Sequence, residues 1–408
     1  MIRFALAILT ALLMPAAGQA ATPAFTQFID SLWPQAERLG ISRQTFETAT
    51  RGLEPNLSLP DLVFPGRPEK AAGGQAEFIQ APADYVREST IANLAAHARK
   101  LAAEHRATLR KIEEKFGVPG NVVLAIWGRE TDFGRYRLPH SAITVLATQA
   151  YLGRRKEQFR EEFLTFLKLL QEGHVDLAAR SSWAGAMGLT QFLPSEFYKH
   201  GVDIDGDGRS DIFKSIPDAL GSAAKQLLHK GWQPGKRWAY EVHPPANIDC
   251  TIGEPGVTMT VGEWLKRGFV PAHGRKLKPE ELAESASLLQ PAGLYGPSFL
   301  TLKNYYVIKD YNFSDLYVLF VGHLSDRIDD PRPFQTPWSK VVQLRTSQVE
   351  SMQQRLTAQG LYRDKVDGKA GMKTRSALGA YQKANGLKLD CWPTEAVLQH
   401  MQSKPGRN

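Results

Sequence analysis

The chain has 408 residues, of which 43% are hydrophobic and 23% charged, an ordinary globular composition with material for two or three domains. Its formal net charge of +8 favours polyanionic surroundings such as nucleic acid, anionic lipid or an acidic cell-wall polymer. There is no Lys/Arg run interleaved with aromatics, which sets nucleic acid aside, and no tandem repeat or low-complexity tract.

Met1-Ile2-Arg3, the apolar block Phe4–Met14 and the small residues Gly18 and Ala20 read as a secretory signal peptide over 1–21, cleaved after Ala20 or Ala21. No cysteine lies near that cleavage point, and no later stretch is long and apolar enough to span a bilayer. The mature protein is therefore expected to be soluble and periplasmic.

Residues 24–64 predict helices that end near Gly40 and Gly52, followed by a Pro/Gly loop over 65–82. Leu94, Ala98, Leu101, Leu109 and Ile112 recur at helical spacing and predict one broken or two separate helices over 83–116. Next comes VVLAIWGRETDFGR (122–135). Pro119 fits the start of a helix, Val122–Trp127 is too apolar to leave in water, and the helix ends on Glu130. Burial beside Ile126 and Trp127 disfavours the charged carboxylate and suits Glu130 to donate a proton near neutrality. Taken alone, a surface ion pair with Arg129 or Arg135 explains Glu130 better. Asp132, two positions on, cannot share its helical face and reads as a helix-end residue.

Further helices are predicted over 142–152 and 155–172, the second with Phe159, Phe163, Phe166, Leu167 and Leu170 on one face. In SWAGAMGLTQFLP (182–194) the small residues allow close backbone approach, and Gln191 offers both a donor and an acceptor. DIDGDGRSD (203–211) has the alternating carboxylates of a Ca²⁺ loop in Asp203, Asp205, Asp207 and Asp211, with Gly208 for the turn and the Arg209 carbonyl as a further ligand. Lys214 stands where an EF-hand loop wants Glu. After a helix over 217–230, residues 236–243, 284–291 and 298–309 predict strands around a short helix at 261–268, together a small mixed α/β insertion. A last long helix covers 315–328. DDPRPFQTPW (329–338) marks a linker, placed at 331–340, between a domain at 22–330 and a compact unit at 341–403. The two cysteines, Cys250 and Cys391, read equally as a disulfide of an exported protein or as two buried thiols.

A helix ending in Glu130 followed by S-x-x-GAMGLTQF-P resembles the lytic transglycosylase B family of the lysozyme-like superfamily, over roughly Phe25 to Ile328. The resemblance implies a mainly α, lysozyme-like catalytic domain in which Glu130 is the sole acid/base. It also implies glycan contacts at Tyr85, Ser182, Gln191, Tyr311, Asn312 and Tyr317, with Gln226 standing where another groove tyrosine is expected. Asp218 becomes the closing carboxylate of a longer, structural Ca²⁺ loop, and no organic cofactor is expected. The implied reaction is non-hydrolytic cleavage between MurNAc and GlcNAc of peptidoglycan. The alternatives are a hydrolytic muramidase and a non-catalytic, Ca²⁺-dependent wall-binding protein.

Residues 349–398 resemble the three-helix peptidoglycan-binding domain, through Gln354-Arg355-Leu356, Gly360-Leu361-Tyr362, Val366-Asp367-Gly368 and Tyr381-Gln382. Peptidoglycan glycan strands are the expected partner, and association with other cell-wall enzymes is left open.

Overall fold

The computed structural model describes residues 23–64, 80–253 and 256–403. The signal peptide expected at 1–21 and most of the loop expected at 65–82 lie outside the described residues. The described residues form two compact units, one built from 23–64 with 139–185, the other from 80–138 with 186–253 and 256–403.

The first unit is helical. Pro23–Ser31, Trp33–Arg38 and Arg43–Thr50 pack with Ala142–Leu152 and Lys156–Gln171. Phe159, Phe163, Phe166 and Leu167 face the core, as their spacing predicts. Ser42 caps Arg43–Thr50 by accepting from Thr45 N, and Gln171 clasps the preceding turn through Ser42 N and Gly40 O. A short antiparallel ribbon pairs His140–Ser141 with Arg180–Ser181.

In the second unit the helix Gly120–Thr131 is buried from Val122 to Gly128. Pro119 is its N-cap rather than its first turn. It is packed by Glu88–Glu104, Arg106–Phe116, Ile216–His229 and Asp315–Asp329. The predicted break between the first two of these falls at His105.

The insertion is a five-stranded antiparallel sheet in the order Thr258–Thr260, Ser285–Leu289, Ser298–Thr301, Ala239–His243, Val270–Pro271. Its core is Tyr240, Val242, Val261, Trp264, Phe269, Leu288 and Leu300. The strand expected over 298–309 stops at Thr301, and Lys303–Lys309 is a helix. The β-branched and aromatic residues of this stretch mislead because a tertiary contact decides: buried Asn304 donates to Gln233 O and Lys236 O and accepts from Gln233 N, pinning the chain in a turn.

Three helices, Thr346–Ala358, Met372–Ala384 and Glu395–Ser403, close the chain around Val349, Met352, Leu356, Leu378, Tyr381 and Leu398. Gln353 organises them. Its amide donates to Asp367 Oδ1 (2.9 Å) and Thr374 Oγ1 (3.0 Å), while its carbonyl accepts from Asp367 N and Gly368 N.

Residues 331–340 are held along their length: Gln335 N and Thr336 N donate to Glu241, and Ser339 N donates to Tyr295 O. Cys250 and Cys391 form a disulfide with a Cα–Cα distance of 6.1 Å, resolving the alternative that the residues alone left open.

Candidate active site

The helix carrying Glu130 ends abruptly. Asp132 and Phe133 take left-handed φ values of 51° and 56°, and Gly134 follows at 78°. Two consecutive non-glycine residues in that region are costly and persist only where the surroundings enforce them. Here Thr131 Oγ1 donates to Leu189 O (2.7 Å), Gly134 N donates to Thr131 Oγ1 (3.2 Å), and Phe133 is buried against Trp127. Asp132 is the C-cap of this helix and is paired with Arg135 at 2.6 Å, in keeping with a helix-end role.

Glu130 itself is half-buried. Tyr317, in the first turn of Asp315–Asp329, donates its hydroxyl to Glu130 Oε1 at 2.5 Å. Tyr311 stacks on Tyr317 with ring planes 7° apart, and its hydroxyl donates to Thr190 O (2.6 Å). Burial first, and then the charge of Glu130, push both phenols well above the ordinary tyrosine range, so both stay protonated donors. On the other side Arg129 donates twice to the Tyr85 hydroxyl (2.6 and 3.0 Å) and lies over the Tyr85 and Phe320 rings. Tyr85 is thus buried beneath Arg129, and what its hydroxyl does here is hold that arginine.

Gln191 sits at the tip of a tight turn closed by Met187 N to Phe192 O and Phe192 N to Met187 O. Its φ is 56°, and its amide donates to Gly188 O (2.9 Å). Gly188 must be glycine: its φ is 77°, and a Cβ there would lie 2.8 Å from the Ile212 side chain and carbonyl. Leu189 N donates to Ile212 O (2.9 Å), which ties this turn to the acidic loop. Asn312 lies in the turn before Ser314 and accepts from Ser314 N. Ser182 belongs to the first unit, where its hydroxyl accepts from Ala184 N; the boundary between units runs through the small-residue block after Gly185.

Asp203, Asp205, Asp207 and Asp218 each bring one carboxylate oxygen within 4.8 Å of the others. Asp218 is fully buried among them, and burial pushes its carboxyl up despite three backbone N–H donors. Four converging oxygens, one buried, fit a hard divalent cation. Asp211 does not join this group; its carboxylate accepts from Phe213 N and Lys214 N. Arg209 donates its backbone N–H to Asp207 Oδ1 (2.8 Å).

Sequence reasoning missed Arg129 as the partner of Tyr85, Thr131 as the latch to Leu189, and Glu196. Glu196 accepts from Gln226 (2.6 Å), the residue standing where a groove tyrosine was expected. The charge of Glu196 also raises the Tyr311 phenol. Its spacing from Glu130 in the chain carries no signal of that.

Residues 24–326 match the family model for the transglycosylase SLT domain, and residues 345–401 match that for a putative peptidoglycan binding domain. The chain is 30% identical over 231 residues to membrane-bound lytic murein transglycosylase B of Escherichia coli (strain K12), covering 55% of this chain and 61% of that protein. It resembles SltB3 of Pseudomonas aeruginosa, solved in complex with NAG-anhNAM-pentapeptide, with a TM-score of 0.82 and 34% identity over 95% of this chain and 100% of the other. Soluble lytic transglycosylase SltB1 of Pseudomonas aeruginosa gives a TM-score of 0.61 with 27% identity, over 76% of this chain and 99% of that one.

Proposed function

Because the chain belongs to the lytic transglycosylase family, with a peptidoglycan-binding domain at its C-terminal end, we propose that it cleaves the MurNAc-(β1,4)-GlcNAc bond without water and leaves 1,6-anhydroMurNAc ends. The observation that carries this reading is the state of the carboxylates. Glu130 is presented to a protonated phenol, whereas Asp132 is paired with Arg135 and Glu196 is held by Gln226. Most hydrolytic glycosidases use a second carboxylate as nucleophile or base.

With one carboxylate, acid and base are the same group at different times. Protonated Glu130 donates to the glycosidic oxygen as the C1–O bond breaks. The 2-acetamido group of the substrate stabilises the oxocarbenium-like centre. Glu130, now ionised and held by Tyr317, takes the O6 proton as O6 closes on C1. Each cycle returns Glu130 to its starting protonation state. Tyr85, Ser182, Gln191, Tyr311 and Asn312 serve substrate binding, Tyr85 through Arg129.

Asp203, Asp205, Asp207 and Asp218 would hold Ca²⁺, with the Arg209 carbonyl. The ion would neutralise repelling carboxylates and take no part in the reaction. The protein works in the periplasm after export: the leader-like N-terminus and the Cys250–Cys391 disulfide both fit an oxidising compartment. Among the described residues no helix is long and apolar enough to cross a membrane.

The test is product analysis on purified sacculi with wild type and Glu130→Gln side by side. Anhydro ends from wild type and none from the variant are expected. Reducing ends would instead establish a muramidase, and unchanged lysis by Glu130→Gln would remove Glu130 from the chemistry.

A further inference from the structure

Among the described residues, two of the places where the C-terminal helical domain is bonded to the rest of its unit bear on the site. One is the insertion, through the disulfide, Lys383 on Asp249 (2.5 Å) and Tyr295 on Asp390 (2.7 Å). The other is Arg375. Arg375 Nη2 donates to Asp315 Oδ2 at 2.9 Å, while its Nη1 donates to Ala370 O (2.9 Å) within its own domain. Both side chains are only 10% exposed.

Asp315 is the first residue of the helix that carries Tyr317. Its carboxylate also takes Lys309 (2.5 Å) and the Tyr305 hydroxyl (2.7 Å). Burial opposes its ionisation, and the charges of Arg375 and Lys309 overcome this and hold the carboxyl well below the usual range. A carboxylate in the first turn also suits the helix dipole. Two residues further on, the Tyr317 hydroxyl meets Glu130. A short rigid path therefore runs from the C-terminal domain through Arg375, Asp315 and the first helical turn to Tyr317 and Glu130.

We infer that Arg375 is a positioning residue for the Tyr317–Glu130 pair, so that the docked C-terminal domain sets the geometry of catalysis besides gripping the wall. This rests on the reading of Glu130 as the acid and base. Because Lys309 stays on Asp315 when Arg375 is removed, the helix start keeps a counter-charge and the fold has no reason to fail. What is lost is the clamp that fixes the turn. Small displacements of catalytic groups reduce turnover strongly even when binding is untouched.

The experiment uses the full chain and a soluble, uncrosslinked glycan whose cleavage is followed by product mass spectrometry, beside a sacculus pull-down. Arg375→Met is expected to lower kcat about tenfold with KM and sacculus binding unchanged, and Arg375→Lys to recover most of the loss. Asp315→Asn cuts the same path from the other side, so its effect on kcat should be less than additive with Arg375→Met, and it serves if Arg375→Met does not fold. A wild-type kcat in the folded Arg375→Met protein, or a loss confined to KM or to sacculus binding, overturns the inference. Glu130→Gln is run in parallel: if that variant turns over, the Glu130 reading fails first, whereas an inactive Glu130→Gln beside a fully active Arg375→Met sinks the positioning role alone.

Discussion

The Tyr317 hydroxyl donates to Glu130 Oε1 at 2.5 Å, across 187 residues of chain. A donor of this kind favours the ionised carboxylate, the form Glu130 must take after the glycosidic oxygen has its proton. Tyr317→Phe keeps the ring stacked on Tyr311 and deletes only the proton. The expected outcome is a fall in kcat of about 10- to 100-fold, with the melting temperature nearly unchanged. A kcat within twofold of wild type would remove Tyr317 from the proton cycle.

His200 provides a pH-dependent stability. It is buried, 3.6 Å from Glu196 and stacked at a tilt on His229. Burial dominates, aided by the charges of Lys225 and Lys230, and brings it down to about 4 in spite of Glu196. The unfolded chain takes up the proton near 6.5, so the stability is fully present above 6.5 and is lost as pH falls toward 4. The full span is of the order of 3 kcal/mol. Thermal melts from pH 7.5 to 4 should fall less steeply for His200→Gln than for wild type. Parallel curves would show that His200 does not titrate differently on folding.

What the sequence disclosed and what it concealed divide along chain distance. The Phe159–Leu167 face, the apolar approach to Glu130 and the alternating carboxylates of 203–207 are local patterns, and local spacing reveals them. Tyr317 carried no local signal, since a tyrosine in an apolar helix reads as core. Only the resemblance brought it to the site. Arg129 on Tyr85, Arg375 on Asp315 and Gln353 at the centre of its domain are polar bonds between distant segments, which no periodicity encodes. The misread strand over 298–309 has the same origin, because Asn304 overrides the strand preference of its aromatic and β-branched neighbours through partners some 70 residues away.

The disulfide closes a loop of 141 residues between the insertion and the C-terminal domain. The chain-entropy argument puts such a link at about 5 kcal/mol as an upper figure. Lys383–Asp249, Tyr295–Asp390 and Arg375–Asp315 remain when it is cut, so the native docking should survive. Cys250→Ser with Cys391→Ser, or reduction, should lower the melting temperature by several degrees and leave kcat near wild type. A large loss of kcat at a temperature where the double variant is folded would show that the covalent link, rather than the ion pair, sets the site.

The acidic loop should act on the active site through three contacts. Asp218 and Asp205 fold the loop, Ile212 at its end accepts from Leu189 N and packs on Gly188, and Leu189 O receives Thr131 beside Glu130. If Ca²⁺ relieves the repulsion of Asp203, Asp205, Asp207 and Asp218, it binds the folded state alone and stabilises it by mass action, about 2.7 kcal/mol at a hundredfold excess over Kd. Adding calcium to a chelator-treated sample should therefore raise the melting temperature by several degrees and increase turnover together. Asp205→Asn with Asp207→Asn should abolish both responses while raising the apo melting temperature, since two like charges are gone. Magnesium, which prefers a tighter octahedral shell, should stabilise less at equal concentration. A chelated protein indifferent to calcium would count against the site; a melting shift without a change in turnover would break the proposed path from Ile212 to Thr131.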